Sequence, residues 1–299
     1  METETEMPEI LTSEPMLPLD RLSAPAFTMP AGACDCHIHI FGPQARYPRV
    51  PDPQYTLPDA KLAHFQGLMK VLRIDRFVIV QPSYYGTDNA CLLDALAEAG
   101  DCARGVVMVE EDVSDATLAA MHLAGVRGVR LDLFKRRDWP IADIRAYITR
   151  MGARIKPLGW HLQFYVPGYV VRDLVDFLPE LDIPHVIDHM GYMLSSDGLT
   201  PADFERMLRR MNDAQTYLKL SGPYRIAKDK GYDAVLDIAR AIVGTNPDRA
   251  IWGSDWPHIP ASSRDTGGLV NLLEQWAPDA GLRRKILTDT PARLFDYAA

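Results

Sequence analysis

Short apolar runs alternate with longer amphipathic stretches along the chain from residue 33 onward. Eight runs, rich in β-branched and aromatic residues, predict strands at 34–40, 77–81, 105–109, 128–133, 161–166, 185–188, 217–220 and 250–253. The stretches between them predict helices at 59–72, 90–99, 115–124, 141–155, 170–178, 201–211 and 232–243. Residues 282–295 are expected to form one or two closing helices.

The alternation of strands and helices indicates parallel βαβ units. Residues 77–80 (Phe-Val-Ile-Val) are apolar on both faces, which is typical of a strand buried on both sides. An open doubly wound sheet would give a similar alternation. The count of eight strands, and the lack of a G-x-G-x-x-G turn after the first, favour a closed (β/α)8 barrel of the TIM type as one α/β domain over 31–299.

Residues 1–30 predict an irregular arm, because they are rich in Pro, Glu, Thr and Ser and show no periodicity. The acidic start and the lack of an apolar stretch before Pro30 do not fit a secretory signal. No apolar run reaches the roughly 18 residues that a membrane span needs. We therefore expect a cytoplasmic protein, with the arm packed on the barrel or on a neighbouring subunit of a homo-oligomer.

Composition and charge narrow the possible partners. The chain has 299 residues, 47% hydrophobic and 24% charged, which is globular composition. A formal net charge of −8 argues against nucleic acid and anionic membranes as partners. A small anionic substrate remains compatible with it, because local cationic side chains can dominate inside a cleft.

Titratable side chains follow three of the predicted strands, where barrel enzymes place their active sites. His37 and His39 at the first strand are two residues apart and therefore share a face. Burying both is costly unless they bind a metal, a substrate oxygen or another polar partner. His189 follows the sixth strand and Asp255 the eighth. Taken singly, His189 could be a satisfied core residue and Asp255 a helix cap.

The three signals together are similar to those of the amidohydrolase superfamily. The run Trp-Gly-Ser-Asp-Trp-Pro-His at 252–258 resembles the amidohydrolase-2 branch that holds the 2-pyrone-4,6-dicarboxylate hydrolases and related lactonases, as do the stretches 78–83, 86–90, 125–130 and 134–136. The resemblance covers residues 33–297. It implies a hydrolase that opens a small anionic lactone ring, with 2-pyrone-4,6-dicarboxylate as the first candidate, in the breakdown of aromatic compounds.

The resemblance also implies which residues surround the substrate's carboxylates and ring oxygens. They are Arg130, Arg136, Arg225, Tyr55, Ser83, Tyr165 and His258. A guanidinium presents a planar fork of donors that suits a carboxylate, so a dicarboxylate needs two of them. Purely structural roles are also compatible with the sequence: residues 135–137 could be a solvated basic loop, Tyr165 a core aromatic, and the proline-rich loop 48–58 around Tyr55 a packed segment instead of a lid.

For the reaction, we expect Asp255 to be the general base that takes a proton from water and later returns it to the leaving oxygen. His37, His39 and His189 are expected to donate hydrogen bonds to the lactone carbonyl oxygen. A zinc shell of these three histidines with Asp255 is the alternative. Many superfamily members add a histidine after strand five or a lysine after strand four.

The chain departs from that metal-binding pattern. Gln163 stands in the strand-five region with His161 two residues earlier, and no lysine precedes Lys135 in the strand-four run. The resemblance therefore favours a site without a metal cofactor, with Zn²⁺ as the alternative. Three other functions remain open: a zinc-dependent lactonase for a muconolactone or sugar lactone, a metal-dependent non-oxidative decarboxylase, and a silent barrel that only binds small acids. A basic carboxylate beside a histidine pair argues against the last.

Overall fold

The computed structural model describes residues 13–50, 57, 60–193 and 199–298. Eight parallel strands form one sheet in chain order. They are β1 (Cys34–Ile38), β2 (Arg76–Val80), β3 (Ala103–Val107), β4 (Val126–Asp132), β5 (His161–Tyr165), β6 (His185–Ile187), β7 (Thr216–Leu220) and β8 (Ala250–Trp252).

The sheet closes on itself between its first and last strands. Ile38 forms a parallel bridge with Trp256. The His39 amide donates to the Trp256 carbonyl (2.8 Å), and the Asp255 amide donates to the His37 carbonyl (2.8 Å). These bonds confirm the predicted (β/α)8 barrel. They also bring the segment after β8 against the end of β1, which are more than 200 residues apart in sequence.

Helices surround the barrel. They are α1 (Leu62–Leu72), α2 (Ala90–Ala99), α3 (Asp115–Leu123), α4 (Ile141–Ile155), α5 (Gly168–Leu174), α6 (Pro201–Asp213), α7 (Pro223–Ala227), α8 (Leu236–Thr245), α9 (Thr266–Asn271), α10 (Leu273–Trp276), α11 (Ala280–Arg284) and α12 (Thr290–Leu294). A π-helical turn, Lys285–Asp289, separates the last two. The predicted helix 170–178 begins two residues earlier and ends at Leu174. The predicted helix 232–243 begins as a 3₁₀ turn and becomes α-helical only at Leu236.

The main core fills the layer between the sheet and the helices, where Phe65, Phe77 and Trp160 are fully buried. A second cluster, which includes Cys34, Val78 and Ile251, is also buried. All four cysteines are free thiols. In the described part of the chain, no helix has both the length and the apolar character of a membrane span.

The described part of the predicted arm lies along the barrel near α9. The Ser23 amide donates to Asp265 (3.0 Å), and the Ala26 amide donates to Asn271 (2.7 Å). Met16, Leu22 and Phe27 pack against the main core. Residues 13–30 are thus largely irregular, with one 3₁₀ turn at Leu19–Arg21, and are held by backbone-to-side-chain bonds.

We expect acid to destabilise the barrel through its buried histidines. His185 on β6 is wholly buried; its Nδ1 lies 3.0 Å from the Ile183 carbonyl and its Nε2 2.7 Å from the Thr216 hydroxyl. Burial lowers the pKa of His185 from 6.5 to about 4. Since the unfolded chain then binds the extra proton, stability is complete above pH 6.5 and is lost as pH falls toward 4, by up to about 1.4 kcal/mol per pH unit for each such group.

Urea unfolding of the wild type and His185→Gln at several pH values tests this expectation. The variant should be less stable at pH 7, because it loses a buried hydrogen bond. The slope of its unfolding free energy against pH should be smaller, because unfolding then takes up about one proton fewer. Equal slopes for the two proteins would show that His185 is not a source of the acid sensitivity.

Candidate active site

The structure brings together the four side chains that the sequence places at the end of strand one and after strands six and eight. The ring centroids of His37 and His39 are 4.9 Å apart, and those of His37 and His189 are 5.0 Å apart. Oδ1 of Asp255 lies 3.7 Å from Nε2 of His37 and 3.5 Å from Nε2 of His39. His39 is 8% exposed and the other three at most 1%. The four side chains therefore form a buried cluster at the carboxyl ends of the strands, which we call the pocket floor.

Tight turns after short strands make this convergence possible. β6 ends at Ile187 and β8 at Trp252, and both His189 (φ 51°) and Asp255 (φ 63°) adopt left-handed backbone conformations. Such conformations are uncommon for non-glycine residues and cluster at functional sites. A Cβ atom at Gly222 would lie 2.7 Å from Nδ1 of His189, and one at Gly253 would lie 2.6 Å from Cβ of His37. Gly222 therefore allows the backbone to approach the imidazole of His189, and Gly253 allows it to approach the backbone and Cβ of His37.

Asp255 has one occupied and one open oxygen. Its Oδ2 accepts hydrogen bonds from the Tyr224 hydroxyl (2.5 Å) and from Nε of Arg225. Its Oδ1 is buried without a hydrogen-bond partner among the described residues. Burial alone would raise the pKa of Asp255, but Arg225 and then His189 outweigh it and hold the pKa well below its usual value. The open oxygen is therefore a carboxylate acceptor.

His39 presents a lone pair to the pocket. Its Nδ1 lies 2.8 Å from the carbonyl of Val80, which can only accept, so Nδ1 carries the proton. Burial lowers the pKa of His39 and keeps the ring neutral. Nε2, which faces Asp255, is then an acceptor. This geometry does not favour the sequence expectation that His39 donates to the substrate, because its donor is already used by the β2 backbone.

His37 presents the opposite group. The Lys219 ammonium lies 3.2 Å from its Nδ1, and Oδ1 of Asp188 lies 3.5 Å from the same atom. The ammonium is nearer and can only donate, which favours Nδ1 as the acceptor and Nε2 as the protonated nitrogen. Burial, and next the charge of Lys219, hold the pKa of His37 well below its usual range. Nε2 is buried and, in the described part of the structure, makes no hydrogen bond. His37 therefore offers a free N–H donor beside the free oxygen of Asp255.

His189 closes the third side of the floor. Its Nδ1 lies 2.9 Å from the Ser221 hydroxyl, and burial lowers its pKa to about 4. The rings of Tyr165 and Tyr192 stand edge-on to it, at centroid distances of 6.1 Å and 5.6 Å. The imidazole is thus neutral and wedged between aromatic rings.

Two of the predicted arginines border this floor. Arg225 forms the ion pair with Asp255, and its side chain is 25% exposed. Arg130 is 5% exposed, donates to the Gln81 carbonyl (3.0 Å), and lies with its guanidinium carbon 4.4 Å from the centre of the Tyr165 ring. Each guanidinium keeps further N–H donors beyond these bonds, since it has five.

The remaining predicted substrate residues are less uniform. Ser83 is half-buried and donates to Asp132 at the end of β4 (2.6 Å). Tyr165 borders the pocket floor, because its ring contacts the Arg130 guanidinium and the His189 ring. Tyr55, with its proline-rich loop, lies outside the described residues.

Arg136 and His258 contact other side chains than the four of the cluster, and their predicted substrate contact stays a prediction. Arg136 stacks on Tyr147 of α4 and on Trp139, with its guanidinium carbon 4.5 Å and 5.2 Å from the ring centres. His258 is 1% exposed, and its Nε2 lies 2.9 Å from the Thr266 hydroxyl. Its other nitrogen is 3.5 Å from the Tyr224 hydroxyl. His258 therefore contacts the same Tyr224 hydroxyl that donates to Oδ2 of Asp255.

The structure adds residues that the sequence analysis missed. Asp188 at the end of β6 and Lys219 on β7 form a buried ion pair (3.0 Å) under His37, and Gln163 donates to the other Asp188 oxygen (3.0 Å). Burial would raise the pKa of Asp188, but Lys219 and then His37 hold it well below its usual value. A lysine within the strand Thr-Tyr-Leu-Lys-Leu was the available signal, because an unpaired ammonium is not buried in a barrel.

Distances alone would let three of these residues hold a metal ion. Ligand atoms of His37, His189 and Asp255 lie within 4.8 Å of one another. A metal-bound histidine normally donates its other nitrogen's proton to an acceptor. The group nearest to Nδ1 of His37 is instead the Lys219 ammonium at 3.2 Å, with the Asp188 carboxylate at 3.5 Å. The nearer contact of His37 therefore does not fit a ligand role.

Comparison with known proteins agrees with this architecture. A family model described as amidohydrolase matches residues 34–297. The chain is 37% identical to a 2-pyrone-4,6-dicarboxylate hydrolase of Comamonas testosteroni over 91% of this chain and 93% of that one, and 34% identical to a 4-sulfomuconolactone hydrolase of Rhizobium radiobacter, again over 91% and 93%. The crystal structure of a candidate 2-pyrone-4,6-dicarboxylic acid hydrolase from Pseudomonas putida superposes with a TM-score of 0.76 at 34% identity, covering 91% of this chain and all of that one. The chain belongs to the amidohydrolase family.

Proposed function

We propose that this protein hydrolyses a small anionic lactone, with 2-pyrone-4,6-dicarboxylate as the first candidate substrate. One observation carries the proposal: an ionised carboxylate oxygen, an N–H donor and a nitrogen lone pair meet in one buried pocket floor. They belong to Asp255, His37 and His39. Two relatives that act by name on lactones carrying carboxylate or sulfonate groups support the choice of an anionic ring.

The attacking water would bind between two acceptors. Oδ1 of Asp255 and Nε2 of His39 lie 3.5 Å apart, and both present lone pairs. A water molecule can donate one hydrogen to each, which leaves its own lone pair aimed at the substrate. Asp255 then takes one proton as the water oxygen attacks the lactone carbonyl carbon.

The Nε2–H group of His37 would donate a hydrogen bond to the carbonyl oxygen and stabilise the negative charge that develops there. A fixed donor that has no other partner in the described part of the molecule needs no reorganisation as the tetrahedral intermediate forms. Breakdown of the tetrahedral intermediate cleaves the ring C–O bond, and Asp255 returns the proton to the leaving ring oxygen. The net reaction adds one water and opens the ring.

Arg130 and Arg225 would orient the ring by its anionic groups. They border the floor, near Tyr165 and at Asp255 respectively, so they can hold two anionic groups of one ring. Fixing the ring in this way aligns the carbonyl carbon with the bound water. Tyr165, stacked under Arg130, offers a flat surface for the ring.

We further propose that the reaction needs no metal ion, since the protonated Nε2 of His37 is unsuited to a ligand role. A spectrophotometric assay with 2-pyrone-4,6-dicarboxylate, run with and without 1,10-phenanthroline on protein of measured metal content, tests both proposals. We expect ring absorbance to disappear at the same rate in both samples. Loss of activity on chelation would indicate a zinc-dependent lactonase, and release of CO₂ a decarboxylase.

A further inference from the structure

Lys219 is a buried ammonium for which the hydrolysis scheme above has no step. It lies on β7 and is 0% exposed. Its Nζ is 3.0 Å from Oδ1 of Asp188 and 3.2 Å from Nδ1 of His37. Removing an ammonium from water costs several kcal/mol and is tolerated only with close partners. The pair of contacts therefore fixes Lys219 directly beneath the imidazole of His37.

The surroundings hold Lys219 in this place. The second oxygen of Asp188 accepts from Nε2 of Gln163 (3.0 Å) and lies 3.8 Å from Nε of Arg130. Asp188 thus stands between two cations, and its side chain is 0% exposed. A network of this kind has little freedom to turn, because each member is held from a different strand or strand end.

The network decides which nitrogen of His37 carries the proton. If Nδ1 were protonated, two donors would face each other at 3.2 Å, which is unfavourable. With the lone pair on Nδ1, Lys219 donates to it and Nε2–H points into the pocket. Asp188 offers the opposite choice, because its Oδ1 lies 3.5 Å from the same Nδ1 and could accept from it. The nearer contact is the one to Lys219.

We propose that Lys219 is a positioning residue that holds His37 in the Nε2–H tautomer and thereby makes this imidazole an oxygen-binding donor and not a metal ligand. The part of this inference that concerns the lactone carbonyl rests on the proposed function. The assignment of the His37 tautomer does not depend on the proposed function. In metal-binding proteins of the usual kind, a carboxylate or carbonyl under the histidine sets the reverse tautomer. In this protein, Asp188 could set that Nδ1–H tautomer of His37 once Lys219 is removed.

The tautomer can be observed without substrate. In protein labelled with ¹⁵N-histidine, two-bond ¹H–¹⁵N correlation spectra distinguish Nδ1–H from Nε2–H rings, and the His37 signals are those that vanish in His37→Gln. We expect the Nε2–H pattern in the wild type and the Nδ1–H pattern in Lys219→Met. A wild-type His37 in the Nδ1–H form, or an unchanged form in a folded Lys219→Met, would overturn the proposal.

Kinetics and metal binding provide independent readouts. Lys219→Met should lower kcat by about tenfold to hundredfold with KM within about threefold, as expected when one oxyanion donor is weakened. Zn²⁺ titration by calorimetry should show binding in Lys219→Met and none in the wild type. Lys285→Met, which breaks a lysine–aspartate ion pair (2.8 Å) on the outside of the barrel, is the matched control and should behave as the wild type.

Removal of Lys219 leaves Asp188 short of a cation, so the single variant can fail to fold. The double variant Lys219→Met/Asp188→Asn removes both charges and is then measured instead, and the wild-type spectrum decides the tautomer in any case. A protein that hydrolyses no anionic lactone but shows the Nε2–H form of His37 would contradict the proposed function and leave the Lys219 inference standing. Hydrolysis with the Nδ1–H form would do the reverse.

Discussion

Replacing Asp255 by asparagine is expected to lower kcat by at least about two orders of magnitude while the protein stays folded. Asparagine keeps an oxygen that can accept from Tyr224 and Arg225, so the turn after β8 retains its partners. The open oxygen of the carboxylate is replaced by an amide NH₂ group, which cannot take a proton from water. Steady-state kinetics and a thermal melt on the same preparation measure both effects.

Asp94 supplies a matched control for this variant. On the outer helix α2, its Oδ2 also accepts from a tyrosine hydroxyl (Tyr47, 2.7 Å) and from a guanidinium (Arg46, 2.5 Å). Asp94→Asn therefore breaks the same kind of carboxylate network away from the pocket floor, and we expect kcat to stay near the wild-type value. Near-normal turnover by Asp255→Asn would remove Asp255 from the role of general base.

Replacing Arg130 by methionine is expected to raise KM for a dicarboxylate lactone by about tenfold to hundredfold, with little change in kcat. A hydrogen bond to a charged group contributes about 1.5–3 kcal/mol, and each 1.4 kcal/mol is a factor of ten. Methionine keeps an apolar stem against Tyr165 but loses the fork that would hold a carboxylate. Initial rates over a range of substrate concentrations separate KM from kcat.

Two other arginines sharpen this test. Arg127, also on β4, donates to backbone carbonyls of Val126 and His122, and Arg127→Met should leave KM unchanged. Arg136→Met should raise KM less than Arg130→Met, because the Arg136 guanidinium stacks on Tyr147 and not on the pocket floor. Equal KM values for Arg130→Met and Arg127→Met would exclude Arg130 from substrate binding.

The sequence predicts the barrel well because its signal is local. Apolar runs such as 77–80, followed by amphipathic helices, are enough to place eight strands, and the rule that sites lie at carboxyl strand ends points to His37, His189 and Asp255. Boundaries are less well predicted: β1 ends at Ile38 and not at residue 40, and β3 spans Ala103–Val107 and not residues 105–109. In both strands the apolar run continues past the last residue of the strand, to Ile40 and to Val109, so the pattern does not mark the end.

The polar network under the site could not be predicted for a physical reason. Strands buried on both faces lose the alternation that tells inward from outward positions, so the direction of Lys219 in β7 is not readable. Its partners Asp188 and His37 lie on or at the end of other strands, 31 and 182 residues away in sequence. Gln163, which donates to Asp188, comes from a further strand. The same holds for Tyr224, which lies on the five-residue helix α7, a segment too short to show helical periodicity.

Ring opening in water enriched in oxygen-18, with metal content determined on the same sample, would examine the whole scheme at once. We predict that protein with far less than one metal ion per chain opens 2-pyrone-4,6-dicarboxylate and places a single heavy oxygen in the newly formed carboxylate, without release of CO₂. Activity that rises in proportion to added Zn²⁺, or failure to open any lactone bearing carboxylate or sulfonate groups, would contradict it.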